Sequence, residues 1–452
     1  MYFKKSVRLI VGGKMRANIL DFGAKSQEDF LNTDAIQKAI DYVNENGGGQ
    51  VVIPAGDYLS GALCLKSNID FHLEAGACLI SSLTEEDFPK FMDDFEDDNE
   101  DTGWEDGCFL MARHETNISI TGLGKIDGRG REVFYEDDDD GGSHESPLKV
   151  KGFRPRMSFF EDVSGLTVKN VCFYDSAFWT LHMAGCKDVL IDGVKILNND
   201  RGPNNDGIDP DSCQRVQIRN CNISCADDCI VVKTTEPMSK LYGPSCDILI
   251  SDCILYSHSS ALKIGTETWG PIYNVSMHDC IIKDSTRAVG IWSRDGGEIH
   301  DIYIHHIFGN TLRYADRKKQ DSKVVVWWGK GEPVFISSSK RANVDRLPGK
   351  IYKIYFDHLN LKCEGPFLIL GEKYSPINGI SVSDSHFLFT KQGSLLPDCI
   401  DEQPSVRGIH KEKLACVMLR DARDCQFLRT SFDVNQSLEP YIESSCRDMS
   451  KD

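Results

Sequence analysis

The residues best suited to chemistry are three aspartates in two short segments of the chain. Asp206 lies in the segment Gly202-Pro-Asn-Asn-Asp-Gly-Ile-Asp209, and Asp227 and Asp228 follow in Ala226-Asp-Asp-Cys-Ile-Val-Val-Lys233. Carboxylates held close together raise one another's pKa, and unequal carboxyl pKa values are what acid–base cleavage of a glycosidic bond requires. A turn motif is the structural alternative, because Asn-Asp-Gly and Asp-Pro favour turns. It explains the neighbouring aspartates but not three carboxylates spaced in this way.

These aspartates need elements that stack on one another, and the sequence carries a matching repeat. A pattern of apolar, any, apolar, two polar and apolar residues begins at Leu166, Val189, Val216, Ile248, Val275, Ile302, Ile354 and Ile380. Successive starts are 23, 27, 32, 27, 27, 52 and 26 residues apart, and 52 is twice 26. Alternating apolar residues predict short strands, and a period of this size predicts a solenoid. We therefore predict an all-β chain folded as a parallel β-helix, whose adjacent strands lie ~4.8 Å apart.

The spacing also predicts the domain organisation. Asp206 and Asp227 are 21 residues apart, about one coil, so stacking would bring them together if the chain bends at Asp227–Asp228 to turn both side chains outward. A short amphipathic helix from Asp34 to Asn44 would cap the first coil. We predict an N-terminal extension over residues 1–20, a β-helix catalytic domain over 21–395, and a C-terminal cap or tail over 396–452, where the repeat is lost.

Composition limits the partners. The formal charge of -18 argues against nucleic acid, which needs a basic face, and no stretch approaches the ~18 apolar residues of a membrane span. The N-terminal stretch is too interrupted for a signal peptide, so we predict a cytoplasmic location. Seventeen cysteines fit reduced core residues, with secreted disulfides as the alternative. No cofactor or metal site is predicted.

At the aspartates the sequence resembles glycoside hydrolase family 28, the polygalacturonase family of right-handed parallel β-helices. The motif Asn204-x-Asp206 followed by Asp227-Asp228 carries the resemblance, together with segments such as Phe22-Gly-Ala and Gly122-Leu-Gly-Lys-Ile-Asp-Gly128. The resemblance implies an oligosaccharide substrate and hydrolysis with inversion. Asp227 would protonate the leaving oxygen, Asp206 and Asp228 would deprotonate the attacking water, and Asn204 would fix the cluster by hydrogen bonding. Inverting sites usually separate their carboxyls by ~6.5–9.5 Å.

The substrate-binding residues depart from the family pattern. The family's histidine after the aspartate pair is replaced by serine, and His258 lies one or two positions early. One possibility is that His258 reaches the site through a bulge. The alternative is that His258 is an ordinary surface histidine. The family's Arg-Ile-Lys would fall in Arg287-Ala-Val-Gly-Ile-Trp292, where glycine and tryptophan replace both cations. Trp292 offers an apolar face for a sugar ring.

Lys263 is the predicted substitute for the missing cation. It lies one strand from the glycine that replaces the family's arginine, so its ammonium would bind a substrate carboxylate. The alternative is a lysine whose stem covers apolar surface while its head stays in water. The candidate substrate contacts are therefore Asn204, His258, Lys263, Arg287 and Trp292.

The resemblance leaves several functions open. We expect exo-acting hydrolysis of α-linked galacturonic acid or related residues in pectic oligosaccharides. A hydrolase of a neutral or deoxy sugar, a polysaccharide lyase or epimerase, and a non-catalytic glycan-binding β-helix are the alternatives. The sequence does not predict the oligomeric state.

Overall fold

The apolar residues of the sequence repeat stack on one another in successive coils. Register partners connect Val189, Val216, Ile248, Val275, Ile302, Ile354 and Ile380, and the column continues to Cys425. The computed structural model describes residues 9–11, 14–27, 29–89, 107–135, 147–313, 329–342, 344–390, 399–413, 415–435, 439–444 and 450–451. Because nearly all strand pairs in these ranges are parallel, the predicted all-β parallel β-helix is confirmed.

Two ladders of strands merge into one large sheet of 24 strands. Its strands are Leu9–Val11, Lys14–Asn18, Gly49–Ile53, Gly56–Ser60, Ile69–Leu73, Ala77–Ser81, Thr116–Gly122, Lys125–Asp127, Ser164–Lys169, Cys172–Tyr174, Lys187–Asp192, Lys195–Leu197, Gln214–Arg219, Asn222–Cys225, Ser245–Ser251, Ile254–Ser257, Ile272–Ser285, Ile299–Thr311, Ile351–Cys363, Ile377–Ser383, His386–Thr390, Ala422–Leu428, Ser431–Asn435 and Ser450–Lys451. The ladders join because three long strands, such as Ile272–Ser285, each take part in both.

A second sheet, of 12 strands, closes the coils. Its strands are Leu63–Cys64, Cys108–Arg113, Arg156–Glu161, Leu181–Ala184, Ile208–Asp211, Ile230–Thr234, Ser260–Thr268, Arg287–Ser293, Glu332–Ser338, Phe367–Leu370, Ala415–Arg420 and Glu439–Ser444. Two antiparallel pairs lie outside these sheets: Phe134–Tyr135 with Lys149–Val150, and Cys399–Asp401 with Ile409–Lys411. The three candidate aspartates lie two or three residues before strands of the 12-stranded sheet, Asp206 before Ile208–Asp211 and the other two before Ile230–Thr234.

Helices are short and few in the described ranges. The predicted capping helix spans Thr33–Glu45 and buries Ala35, Ile36, Ala39, Ile40 and Val43, all of which join the continuous core inside the coils. The other helical segments are Ile19–Phe22, Glu85–Asp87, Gly130–Val133 and Glu236–Tyr242. No described helix has the length and apolarity needed to cross a membrane.

One turn between the two ladders repeats with the same left-handed backbone. Asp252, Asp279, His306 and His358 stand at this turn in successive coils with φ between 52° and 55°. Asparagine and aspartate tolerate this region because their short polar side chains hydrogen-bond locally. The repeated turn explains the polar pair that follows the alternating apolar residues in each sequence repeat.

The structure differs from the predicted boundaries at both ends. Lys14–Asn18 pairs in parallel with Gly49–Ile53, so the sheet begins before residue 21. Beyond residue 395, Ala415–Arg420 pairs in parallel with Phe367–Leu370, and Ala422–Leu428 pairs with Ile377–Ser383. The region predicted as a cap or tail therefore contains a further coil. The antiparallel pair within it lengthens this coil and hides the 26-residue spacing.

Candidate active site

Asp206 and Asp228 stand in equivalent positions on adjacent coils. Their strands are in register at Ile208 and Ile230, so each aspartate lies two residues before a paired strand position. The backbone N–H of Gly207 donates to the carbonyl oxygen of Asp228 at 2.9 Å and locks this stacking. One oxygen from each of Asp206, Asp227 and Asp228 lies within 4.8 Å of the others. The predicted clustering is therefore present.

A bend at Asp227 turns two consecutive aspartates toward one face. The side-chain oxygen of Asn205 accepts the backbone N–H groups of Ala226 at 2.9 Å and Asp227 at 3.2 Å. The hydroxyl of Ser257, one coil further on, donates to the carbonyl oxygen of Asp227 at 2.6 Å. These bonds satisfy backbone groups that leave the strand ladder, so the bend required by the sequence argument is built by Asn205 and Ser257.

Three donors hold the carboxylate of Asp228. Lys263 Nζ lies 2.8 Å from Oδ2, while the hydroxyl of Ser259 and the backbone N–H of Ser260 donate to Oδ1 at 2.9 and 3.0 Å. The side chain of Asp228 is 2% exposed. A buried carboxylate with an ammonium partner and two further donors has the environment that the ionised form requires.

Asp227 and Asp206 lie in the opposite kind of environment. Burial, followed by the charge of Asp228, raises the pKa of Asp227 to about 6, although Lys263 and Lys233 oppose the rise. Burial and the charge of Asp227 also raise the pKa of Asp206 well above its ordinary value. Among the described residues, Oδ1 of Asp206 has no hydrogen-bond partner. Asp227 is only partly buried. Its raised pKa lets it carry a proton, and its partial exposure lets it contact a substrate.

A buried layer of charge lies beneath the three aspartates. Lys233 Nζ is 2.8 Å from Oδ1 of Asp209 and stands 3.8 Å from the ring centroid of Trp179. Burial opposes the charge of Lys233, but Asp209 and Asp206 raise its pKa overall. Glu267 has its pKa lowered to about 2 because Lys233, Arg341 and Lys263 outweigh its burial. The cations of this layer are therefore each matched by a carboxylate.

The role predicted for Asn204 belongs to its neighbour. Asn204 has φ of 53° and its side-chain oxygen accepts a hydrogen bond from Arg154 at 3.1 Å. Asn205, which is fully buried, makes the bonds that fix the bend. The left-handed backbone at Asn204 rotates the chain so that Asn205 points toward Asp227, and the prediction for Asn204 is wrong in this respect.

His258 is a buried side chain and not a surface histidine. It is 5% exposed, and its Nε2 lies 2.8 Å from the hydroxyl of Tyr256. Burial lowers its pKa to about 4 despite the opposing charge of Asp200. Substrate contact by His258 stays a prediction.

Arg287 and Trp292 are covered by protein. Trp292 is 4% exposed and Arg287 is 2% exposed. The indole packs edge-on against Phe335, donates to its carbonyl oxygen at 3.2 Å, and lies beneath the Arg287 guanidinium. Arg287 in turn faces Glu332 at 3.4 Å. Neither side chain is open to solvent. The expectation that Trp292 offers a face to a sugar ring is therefore corrected, because protein covers that face.

The covering comes from a part of the chain far away in sequence. Trp292 and Phe335 share a hydrophobic cluster with Leu368, Ile400 and Met418. The last two belong to the extra coil beyond residue 395. The replaced Arg-Ile-Lys segment is therefore an internal contact between coils.

Several residues that contact the aspartates are absent from the predicted set. Asn205 lies beside the predicted Asn204, and Ser259 precedes the serine that replaces the family histidine. Lys233 lies near the end of the strand that follows the aspartate pair. That position could have indicated a lysine close to the carboxylates. All three act on the aspartates by hydrogen bond or charge.

The carboxylate cluster has a spacing that also suits a cation. Lys263 already supplies a positive charge at Asp228, so we assign the cluster to acid–base chemistry and not to metal binding. A second group, Asp357, His358 and Asp384, lies on the outer surface. There Arg429 binds the Asp384 carboxylate.

Comparison with known proteins is consistent with this geometry. A model described as glycosyl hydrolases family 28 matches residues 45–308, which is more than half of the chain. A probable polygalacturonase of Vitis vinifera is 29% identical over 263 residues, 56% of this chain and 51% of that protein. An exopolygalacturonase of Zea mays is 24% identical over 273 residues, 55% of this chain and 61% of that protein. The matches thus span about half to three fifths of these curated relatives.

The fold is shared with a solved structure. A family 28 exopolygalacturonase of Yersinia enterocolitica superimposes with a TM-score of 0.73 at 19% identity, covering 96% of this chain and 78% of that chain. At this identity the likeness shows the fold alone, and it confirms the right-handed parallel β-helix that the family resemblance implies.

Proposed function

The chain belongs to glycosyl hydrolases family 28, and from that premise we propose that it hydrolyses α-linked galacturonic acid or related residues in pectic oligosaccharides. The observation that carries the proposal is the unequal environment of three clustered aspartates. Asp228 is ion-paired with Lys263, whereas Asp227 has a pKa raised to about 6. One ionised and one protonated carboxyl are what acid–base hydrolysis of a glycoside requires.

The proposed reaction is a single displacement. Asp227 gives its proton to the glycosidic oxygen as the bond from that oxygen to the anomeric carbon breaks. Asp206 and Asp228 hold a water on the other side, and one of them accepts its proton as the water oxygen bonds to the anomeric carbon. The products are a sugar of inverted configuration and a free hydroxyl on the leaving sugar, with one water consumed.

The spacing of the carboxyls bears on this stereochemistry. One oxygen of each carboxyl lies within 4.8 Å of the others, whereas the ~6.5–9.5 Å usual for inverting sites is a distance between whole carboxyl groups. Two oxygens at this distance still admit one water at ~2.8 Å from each. Inversion is therefore proposed with a water already bound between carboxylates, and the configuration of the first product decides it.

Exo-action and a cytoplasmic location belong to the same proposal. The Zea mays relative is named as an exopolygalacturonase, and exo-action suits short imported oligosaccharides. The cysteines recorded in the described ranges are free, and most are buried, which supports a reducing compartment.

A neutral or deoxy sugar is the second candidate substrate, because the cations of the site are already matched. Lys263 is paired with Asp228 and Lys233 with Asp209. Gly290 stands where the family has an arginine, and the neighbouring Trp292 is buried. In the described part of the site these two lysines already have carboxylate partners, which favours an uncharged ring over a carboxylated one.

The activity is tested with defined pectic oligosaccharides and aryl glycosides, with products identified by mass. We expect Asp227→Asn to lower kcat at least ~100-fold, the lower range for a positioned acid. Asp188→Asn is the matched control, because this exposed aspartate pairs with Arg215 on the outer surface. Equal activity of both variants would refute the site assignment.

The product itself separates the remaining alternatives. Proton NMR of early product should show the inverted anomer, and a retained anomer would exclude the single displacement. An unsaturated product absorbing in the ultraviolet would indicate a lyase. Release of single sugars from the chain end supports exo-action, and a ladder of intermediate lengths contradicts it.

A further inference from the structure

Lys263 forms an ion pair with one of the three clustered aspartates, and its position is set by the coil after the aspartates. Its strand, Ser260–Thr268, pairs in parallel with Ile230–Thr234, and Lys263 is in register with Val231. The side chain extends back toward the start of the preceding strand and reaches Oδ2 of Asp228 at 2.8 Å. The lysine side chain is 16% exposed, so solvent only weakly screens this pair.

The stem of Lys263 lies in the space that the missing side chain of Gly290 leaves. Gly290 is the next residue in its column, and a Cβ added to Gly290 would lie 3.8 Å from Cγ of Lys263. The lysine stem therefore already lies against the glycine. Its ammonium is engaged by a carboxylate of the protein before any substrate arrives.

The two oxygens of Asp228 are held from one coil. Oδ2 takes Lys263, and Oδ1 takes the hydroxyl of Ser259 and the backbone N–H of Ser260. Asp206, the other candidate base, has a buried oxygen that no described residue hydrogen-bonds. Of the two, Asp228 has the donors that stabilise negative charge.

We propose that Lys263 is a positioning residue that commits Asp228 to the role of base, leaving the protons of the cluster on Asp206 and Asp227. The inference rests on the proposed hydrolysis and deepens it, because it assigns Asp228 and not Asp206 as the group that deprotonates water. It replaces the predicted contact between Lys263 and a substrate carboxylate with a contact inside the site.

Several charged groups face this pair and must be considered together. They are Asp206, Asp209, Asp227, Lys233 and Glu267. The positive charge of Lys263 lowers the pKa of Asp227. Removing that charge raises the pKa of the acid, so the alkaline limb of the rate profile moves to higher pH. The same change removes the ion pair that holds the Asp228 carboxylate, so kcat falls as well.

The test compares Lys263→Met with Lys263→Arg over a range of pH. The methionine keeps much of the stem and removes the charge. We expect kcat to fall about tenfold or more and the pH optimum to rise about one unit, the lower range for loss of an opposite charge. KM should stay unchanged on acidic and neutral substrates alike. Lys263→Arg should restore the optimum and much of kcat, and the control Lys240→Met, at an exposed lysine paired with Glu236, should change neither.

Two outcomes would overturn the proposal. An unchanged pH optimum in Lys263→Met does so, and so does a rise in KM confined to acidic substrates, which would restore the substrate-binding role. If Lys263→Met does not fold, Ser259→Ala removes one donor to Asp228 and should lower kcat by a smaller factor without changing KM. Inactivity caused by a wrong proposed function is recognised separately, because the unchanged protein would then release no hydrolysis product.

Discussion

Asn205 fixes the bend at Asp227, and replacing it should affect both stability and turnover. Its side-chain oxygen accepts two backbone N–H groups at the bend, and its Nδ2 donates to the carbonyl oxygen of Asn199 at 2.6 Å. Asn205→Ala leaves these three buried or partly buried backbone groups without their partner. At ~1–3 kcal/mol for each unsatisfied group, the change should lower the free energy of unfolding by ~3 kcal/mol or more.

The same substitution should also affect turnover. The N–H of Asp227 is one of the two donors that Asn205 holds, so the proposed general acid loses a fixed position. A displacement of ~1 Å at a reacting group can cost ~100-fold in rate. We expect Asn205→Ala to lower kcat by one to two orders of magnitude, about 10- to 100-fold, while circular dichroism retains the strand signal.

The adjacent asparagine provides the matched control. Asn204→Gly keeps the left-handed backbone at low cost and removes the bond from Arg154. It should leave kcat and the denaturant midpoint close to those of the unchanged protein. Denaturant unfolding and steady-state kinetics on both variants decide the matter. If Asn204→Gly were the more damaging change, the assignment of the bend to Asn205 would be refuted.

Three further predictions follow from the described contacts. Asp227 must be protonated to act and has a pKa raised to about 6, so kcat/KM should fall as pH rises through about 6. A rate that stays flat from about pH 5 to about pH 8, the range around that pKa, would contradict its role. Trp292→Ala should cost ~3–5 kcal/mol of stability, as for other buried aromatics, without changing KM, whereas a raised KM in a stable variant would show that the indole contacts substrate. Thiol titration under denaturing, non-reducing conditions should find most of the 17 cysteines free, and a small number of reactive thiols would contradict the reducing location.

Much of the fold was predictable because each coil of a solenoid repeats the same short pattern of apolar residues. Each alternating apolar segment lies in a strand, as Val216 and Ile218 do in Gln214–Arg219, and its apolar residues are buried inside the coil. The extra coil was not predictable from spacing, because the chain between Phe389 and Ala415 makes an excursion before it returns to the sheet. A fixed period fails wherever an insertion of unknown length lies within a coil.

The clustering of the three candidate aspartates was predictable, and several of their neighbours were not. Coil spacing is enough to bring Asp206 and Asp228 together, since they occupy equivalent positions on adjacent strands. Which of two adjacent asparagines faces the bend depends on a single backbone φ at Asn204, which sequence does not reveal. The burial of Trp292 depends on Ile400 and Met418, more than 100 residues away. The sequence pattern around Trp292 carries no information about residues that cover it from a distant part of the chain.

The stacking of the aspartates on adjacent coils has an evolutionary consequence. Duplicating one coil between Asp206 and Asp228 would move them apart by ~4.8 Å, which would break the shared water site at once. Duplicating or deleting a coil elsewhere leaves the two strands adjacent and only changes the length of the solenoid. We therefore expect natural relatives of this chain to differ in the number of coils toward the ends of the molecule, while the interval between the two aspartates stays at one coil.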